Sequence, residues 1–296
     1  MNRELEAKRK RKEKQEKLIE KYWNNPIFNK TKHLIIIDDS RKMNKVKNNS
    51  VHLIVTSPPY YNAKEYSQWN SLEDYLEDMK MTFEECFRVL ESGRKFCLNI
   101  SDLPEKGPYG VRWVPLGAEL LKACQSIGFE LVDRVIWLKT PIKGFQYGSL
   151  PYPPSPLICD SMEYIFVFRK PGKADYSYLT KNQREASKLT RNEYGEFTKQ
   201  IWSMRRVREK ENINGHIAPF PDELPNRCIK LYSFVGDTIL DPFGGSGTTT
   251  KMAIQNKRNS ILYEIKKEYL KIIKEKVGFT QKRLGKGIEI VILNDK

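Results

Sequence analysis

Two short segments of the chain carry residue types suited to chemistry. The first, Ile239-Leu240-Asp241-Pro242-Phe243-Gly244-Gly245-Ser246-Gly247-Thr248-Thr249, reads as a short strand, a glycine-rich turn and a helix start. Glycines there let the backbone approach a ligand closely, and Thr248 or Thr249 stands where a helix cap is expected. A phosphate-cradling P-loop would end in Gly-Lys-Ser/Thr, whereas this one ends Gly247-Thr248-Thr249 with the next lysine at Lys251, which disfavours ATP or GTP hydrolysis. Glu264 stands 19 positions beyond Gly245, at the tip of the strand Ile261-Leu262-Tyr263. A carboxylate about 20 residues past such a loop can accept hydrogen bonds from ribose hydroxyls. Loop and carboxylate together specify a nucleoside-containing cofactor, while either one by itself would equally suit a plain turn or a solvated side chain.

The second segment is Thr56-Ser57-Pro58-Pro59-Tyr60-Tyr61-Asn62, which follows the apolar run Val51–Val55. It should lie at the carboxyl edge of a sheet, where α/β proteins bind their ligands. The prolines end the strand and stiffen the loop, and their carbonyl oxygens remain free to accept hydrogen bonds. Ser57 adds a hydroxyl, and Tyr60 offers a flat ring on which a planar base can stack.

These loops need a scaffold, and the apolar periodicity supplies one. Strands are expected at His33–Asp38, Val51–Val55, Lys95–Ile100, Phe129–Leu138, Tyr164–Phe168, Thr238–Leu240 and Ile261–Tyr263. Leu72, Tyr75, Leu76, Met79, Phe83, Phe87 and Leu90 recur at steps of three and four, which predicts one face of a helix closed by Gly93. Further helices are expected over Leu116–Ile127, stopped by Gly128, over Asp222–Tyr232 and over Thr248–Gln255. Strands alternating with helices predict an α/β fold with a mostly parallel sheet. Between Pro171 and Asn214 the rhythm is lost, and Tyr176, Tyr178, Tyr194, Phe197 and Trp202 are interspersed among charges.

The whole chain has 296 residues, 39% of them hydrophobic and 30% charged, so it is long enough to bury a substantial core. Its 52 Lys and Arg against 37 Asp and Glu leave a formal charge of +15, which favours a polyanionic partner. Residues 1–32 hold eleven of the basic residues against five glutamates and are expected to form a basic helical extension. Apolar runs such as Leu34-Ile35-Ile36-Ile37 fall far short of the roughly 20 residues that span a bilayer. The basic amino terminus is followed by no apolar core or small-residue cleavage site, so no secretory signal is expected and a cytoplasmic location is the default. Composition leaves nucleic acid and an acidic membrane surface both open as the polyanion, and no membrane-spanning segment is expected. Cys86, Cys97, Cys124, Cys159 and Cys228 form no Cys-x-x-Cys pair, and only His33, His52 and His216 could join them as ligands. Neither a disulfide framework nor a metal site is expected.

The two loops resemble a known family. Ser57-Pro58-Pro59-Tyr60 is similar to the catalytic tetrapeptide of the DNA amino-methyltransferases, and Asp241–Thr249 is similar to their S-adenosylmethionine loop. The catalytic loop comes first, the irregular basic segment next and the cofactor loop last, which resembles the permuted beta class of these enzymes. Gly215-His216-Ile217-Ala218-Pro219-Phe220-Pro221 and Ile37-Asp38-Asp39-Ser40 extend the resemblance over roughly residues 33–275.

This resemblance implies a Rossmann-like methyltransferase fold with circularly permuted motif order, a catalytic domain over residues 33–296, and a target-recognition insertion at about 171–214. It implies S-adenosyl-L-methionine as cofactor, held by Asp39, Phe220, Asp241, Pro242, Phe243, Gly245, Gly247, Thr248 and Glu264. Ser57, Pro58, Pro59 and Tyr60 would carry catalysis on a base flipped from double-stranded DNA. From Arg169 to Gly215 twelve Lys and Arg face six Asp and Glu, and Arg205, Arg206 and Arg208 form the densest patch for phosphate contact. Serine in the first position of the tetrapeptide is usual among the family's cytosine-N4 enzymes, which favours cytosine N4 over adenine N6. Methylation at carbon 5 of cytosine uses a Pro-Cys nucleophile in its own family, and no cysteine here follows a proline. The implied setting is the modification half of a restriction system, with a partner endonuclease, or a solitary enzyme, monomer and dimer being equally compatible. A fold retained for binding without catalysis, or RNA or protein amines as substrates, are the competing readings.

Overall fold

The computed structural model describes residues 2–62, 68–108, 110–141, 158, 160–207, 220–279 and 287–294. The chain begins with α1 (Asn2–Trp23) and a single 3-10 turn, then enters the sheet as β1 (Thr31–Ile37) and β2 (Val51–Thr56). Next come α2 (Leu72–Val89), β3 (Leu90–Ile100), a hairpin of β4 (Leu103–Gly107) and β5 (Gly110–Val114), and α3 (Leu116–Ile127). β6 (Glu130–Thr140), β7 (Met162–Arg169), α4 (Lys181–Ala186), α5 (Arg191–Phe197) and β8 (Ile201–Arg205) follow. The last third comprises α6 (Glu223–Tyr232), β9 (Thr238–Asp241), α7 (Thr248–Gln255), β10 (Asn259–Glu264), α8 (Tyr269–Lys276) and β11 (Ile288–Asn294).

Among the described residues nine strands form one sheet in the order β11-β1-β10-β9-β2-β3-β7-β6-β8. Only β7 runs against the others, pairing antiparallel with both β3 and β6. The expected mostly parallel α/β sheet is therefore present, and it has helices on both faces. Alternation along the strands decides which face each residue serves. Ile36, Ile54, Phe96 and Leu98 face α2 and α3, where Tyr75, Met79, Phe83, Leu116 and Leu120 complete one core. Leu53, Val55, Cys97 and Ile239 face the opposite way onto Leu224, Cys228, Met252 and Ala253 of α6 and α7. Ile35, Ile37 and Leu262 pack on Ile273 and Val277 at α8 and the residue after it.

Helix boundaries follow their capping chemistry. Ser71 caps α2 by accepting from the Asp74 amide at 3.0 Å, and Gly128 closes α3 at φ +112°. Gly93 does not close α2, contrary to the reading from sequence. The helix ends at Leu90, which turns directly into extended backbone and opens β3. Gly93 lies inside that strand at φ +77°, and a Cβ there would sit 2.4 Å from the Ala174 amide nitrogen. The glycine is needed for this close crossing of two backbones.

The segment after β7 has more order than its composition implied. It crosses the amino edge of the sheet, carrying the capping-boxed helices α4 and α5, and returns as β8, parallel to β6. Tyr178 donates to Asp237 at 2.6 Å and accepts from Arg94 at 2.5 Å, while the Arg94 guanidinium lies 4.7 Å from the Tyr176 ring centroid. These two aromatic residues are thus engaged at the amino edge, away from both chemical loops, because the buried Arg94 needs partners there. α1 ends at the same edge, where the Lys257 amine sits 4.8 Å from the Trp23 ring centroid and donates to the Trp23 carbonyl. Among the described residues no helix is long and apolar enough to cross a membrane.

Candidate active site and cofactor cleft

The direction of chain progression reverses between β2 and β9, which are neighbours in the sheet and lead into the two chemical loops. Such a reversal leaves a crevice beyond the carboxyl ends of the strands. Thr56, the last residue of β2, donates to the Asp241 carboxylate at 2.6 Å, and the Phe243 amide donates to the same oxygen at 3.2 Å. The Thr249 hydroxyl reaches back to the Val55 carbonyl at 3.4 Å. Asp241 is only 1% exposed, and burial pushes its carboxyl up to about 6. Its observed work is to tie the tetrapeptide loop to the glycine loop.

The glycine loop is shaped by close approach. A Cβ on Gly244 would lie 2.2 Å from Cγ of the buried Leu262, while Gly245 and Gly247 have φ of +51° and +84°. Gly244→Ala should therefore cost about 1–3 kcal/mol by overpacking. Urea unfolding checks this, and wild-type stability would show that the loop shifts freely. The expected threonine cap is not formed. Gly247 occupies the cap position without a side-chain bond, and Thr248 begins α7. The first amides of the helix thus keep no side-chain cap. The Lys276 amine donates to the hydroxyls of Ser246 at 2.7 Å and Thr248 at 2.6 Å, and burial pushes the amine down to about 8.

Glu264 ends β10, beside β9. Its Oε2 accepts from the Gly245 amide at 2.8 Å and its Oε1 from the Lys266 amide at 2.9 Å. Among the described residues each carboxylate oxygen accepts one of these bonds and so has a further lone pair, which suits ribose hydroxyls. Burial pushes this carboxyl up to about 7. Asp39 follows β1 at the same edge, with its carboxylate held by the Arg41 backbone and guanidinium, which keep it below the usual range against the raising effect of burial. Phe220 is half-buried before α6 and packs on the core beneath that helix. The loop, the uncapped amides and the free lone pairs of Glu264 fit an adenosine-bearing amino acid.

Across the crevice, Pro58 is buried while Ser57, Pro59 and Tyr60 are half-buried. The Tyr60 hydroxyl donates to Glu163 Oε2 at 2.9 Å, and Asn99 Nδ2 donates to the same oxygen at 3.0 Å. Lys139 Nζ lies 3.5 Å from Glu163 Oε1 and 2.7 Å from Asp160 Oδ2. Burial raises the Glu163 carboxyl above the usual carboxylate range, although Lys139, Asn99 and Tyr60 all favour its charged form. Burial, followed by the Glu163 charge, pushes the Tyr60 phenol well above the usual range. Arg205 closes β8 at this edge and Arg206 follows it, whereas Arg208 and Gly215–Pro219 lie outside the described residues. Among the described residues no group of three or more His, Cys, Asp or Glu could hold a metal ion.

The family profile for DNA methylases of the N6/N4 type matches residues 51–275. The chain belongs to this family. It is 35% identical to the type II methyltransferase M.MjaI of Methanocaldococcus jannaschii, over 89% of this chain and 97% of that one. It superposes with a TM-score of 0.72 on a Thermus thermophilus protein named as a DNA modification methylase and crystallised with S-adenosyl-L-methionine, at 30% identity over 89% of this chain and 99% of the other. PvuII DNA methyltransferase, which is cytosine-N4-specific, shares the fold with a TM-score of 0.59 at 20% identity, over 88% and 95% of the two chains. This methylase therefore transfers methyl groups to DNA from S-adenosylmethionine, on the methyltransferase fold expected from its motifs.

Sequence reasoning missed Asn99, Lys139, Glu163 and Lys276. The only signal for Asn99 and Glu163 is a polar residue set among largely apolar ones, at Leu98-Asn99-Ile100 and Met162-Glu163-Tyr164, and Lys139, in Leu138-Lys139-Thr140 at the strand end, carries less.

Proposed function

We propose that this methylase modifies cytosine N4 in double-stranded DNA, as the modification half of a restriction pair with a cognate endonuclease. The observation that carries the reading is the Ser57–Tyr60 loop standing one strand from the glycine loop and tied to it through Thr56 and Asp241. A serine in the first position of the tetrapeptide favours cytosine over adenine, and the type II name of M.MjaI supports the restriction setting.

The base flips out of the duplex, because its exocyclic nitrogen is otherwise inaccessible. Tyr60 receives one face of the base. The Pro58 carbonyl and the Ser57 hydroxyl accept the two amine hydrogens, drawing the nitrogen toward tetrahedral geometry and localising its lone pair. Glu264 takes the ribose hydroxyls of the cofactor, and the amides at the start of α7, with Gly245 and Gly247, cradle its amino-acid part. Asp39, Pro242, Phe243 and Phe220 complete the pocket wall. S-adenosylmethionine supplies an electrophilic methyl group on a sulfonium. Arg205, Arg206 and Arg208 contact phosphates, and the DNA-facing part of the 171–214 insertion begins at the end of β8, because the earlier part lies at the opposite edge.

Expression in a host lacking its own methylation, followed by mass spectrometry of the DNA nucleosides, tests the base. N4-methylcytosine is expected. N6-methyladenine would overturn the serine-based assignment while keeping the mechanism, and neither base from folded, cofactor-binding protein would redirect the search to RNA or to binding without catalysis.

A further inference from the structure

We propose that Glu163 is a positioning residue for methyl transfer: its carboxylate, pinned by Asn99 and Lys139, sets the plane of the Tyr60 ring before the target base arrives. The inference rests on the stacking role given to Tyr60 above. It starts from the antiparallel entry of β7. Because β7 runs against its neighbours, its first residues rather than its last lie at the carboxyl edge, and Glu163 falls beside Asn99 of β3 and Lys139 of β6.

The carboxylate is not required for strand pairing, which uses backbone groups. Glu163 and Lys139 side chains are 13% and 7% exposed, and burying such charges carries a desolvation cost that an apolar pair of similar size would avoid. What they supply is direction. Lys139 is held by Asp160, and the Asn99 amide is fixed by a second bond to the Tyr164 carbonyl at 3.1 Å. Glu163 is thus oriented from two sides and, among the described loop residues, presents Oε2 to Tyr60. Pro58 and Pro59 stiffen the backbone that precedes Tyr60 but leave its side-chain torsions free. A hydrogen bond at the far end of the ring removes the rocking that would otherwise have to be frozen when a base stacks.

The test compares Tyr60→Phe, Glu163→Gln and the double variant with wild type and with Tyr60→Ala. The readouts are the single-turnover rate of tritium transfer from labelled S-adenosylmethionine to DNA from a methylation-free host, and the dissociation constant of the cofactor. Each single variant should lower the rate by about tenfold at unchanged cofactor affinity, and the double variant should fall no further than about twofold below Tyr60→Phe, because that variant already removes the Glu163 bond together with the Ser57 bond to the same hydroxyl. A wild-type rate for Tyr60→Phe overturns the proposal, as do multiplicative losses in the double variant. Parallel losses of rate and cofactor affinity in Glu163→Gln would make the carboxylate a support of the whole sheet edge and also overturn it. Tyr60→Phe keeps the test decisive if Glu163→Gln does not fold. Full activity of Tyr60→Ala would remove the stacking role itself, whereas its loss beside a normal Tyr60→Phe would remove only the role of Glu163.

Discussion

Replacing Glu264 by alanine should raise the dissociation constant of S-adenosylmethionine by about 150- to 20,000-fold. The carboxylate offers one remaining lone pair on each oxygen, and hydrogen bonds to a charged group contribute about 1.5–3 kcal/mol each. Part of that loss comes from the loop, since the Gly245 amide also loses its acceptor. The same residue gives the binding a pH dependence with a definite sign. Its carboxyl is pushed up to about 7 in the free protein, so it is mostly protonated at pH 6 and mostly charged at pH 8. Ribose hydroxyls donate to the charged form, and affinity should therefore rise by about tenfold between those two values, with proton release on binding in the acidic range. Calorimetric titration at both pH values checks this. Glu264→Gln is the control that cancels titration of the cofactor's own amino group, and an equal pH dependence in that variant would remove the ribose role from Glu264.

Tyr60→Ala should lower turnover while leaving cofactor binding close to wild type. Loss of a stacked base contributes about 1–3 kcal/mol, a reduction of roughly 5- to 150-fold if the flipped base is held only in the reacting complex. The separation of effects follows from the geometry. Tyr60 is anchored toward β7 by Glu163, whereas Glu264 and the glycine loop lie toward β10. Equal losses of turnover and cofactor affinity in folded protein would show that the tyrosine borders the cofactor instead. Against unfolding as the cause, the ring belongs to the partly buried rim of its core cluster, so its truncation should not empty the centre of that cluster.

At the amino edge of the sheet, aromatic residues that composition would assign to recognition have structural partners. A basic, aromatic segment reads as a nucleic-acid surface, yet Tyr176 and Tyr178 are occupied by Arg94 and Asp237. The basic α1 also docks its Trp23 end on Lys257 at that edge. Charge and aromaticity are local quantities, whereas the side of the sheet on which a segment lies depends on the direction of the strands before and after it.

Local chemistry was legible for the same reason. The glycine loop, the Pro-Pro turn and the stop at Gly128 each depend on backbone conformations fixed within a few residues, and Glu264 follows its loop at a spacing set by one helix and one strand. The strands flanking those loops are apolar runs whose length and flanks mark them without tertiary information. By itself the sequence determined the two chemical loops, their order, the position of the Glu264 carboxylate at the tip of the strand after the glycine loop, and the α/β alternation. Tertiary structure alone decided that β7 enters antiparallel, that Glu163 therefore meets Tyr60 across 103 residues of chain, that Lys276 buttresses the glycine loop, and that Asp241 joins the two loops. Such partners are chosen by strand register and by the cost of leaving a buried charge unmatched, and neither can be read from spacing along the chain.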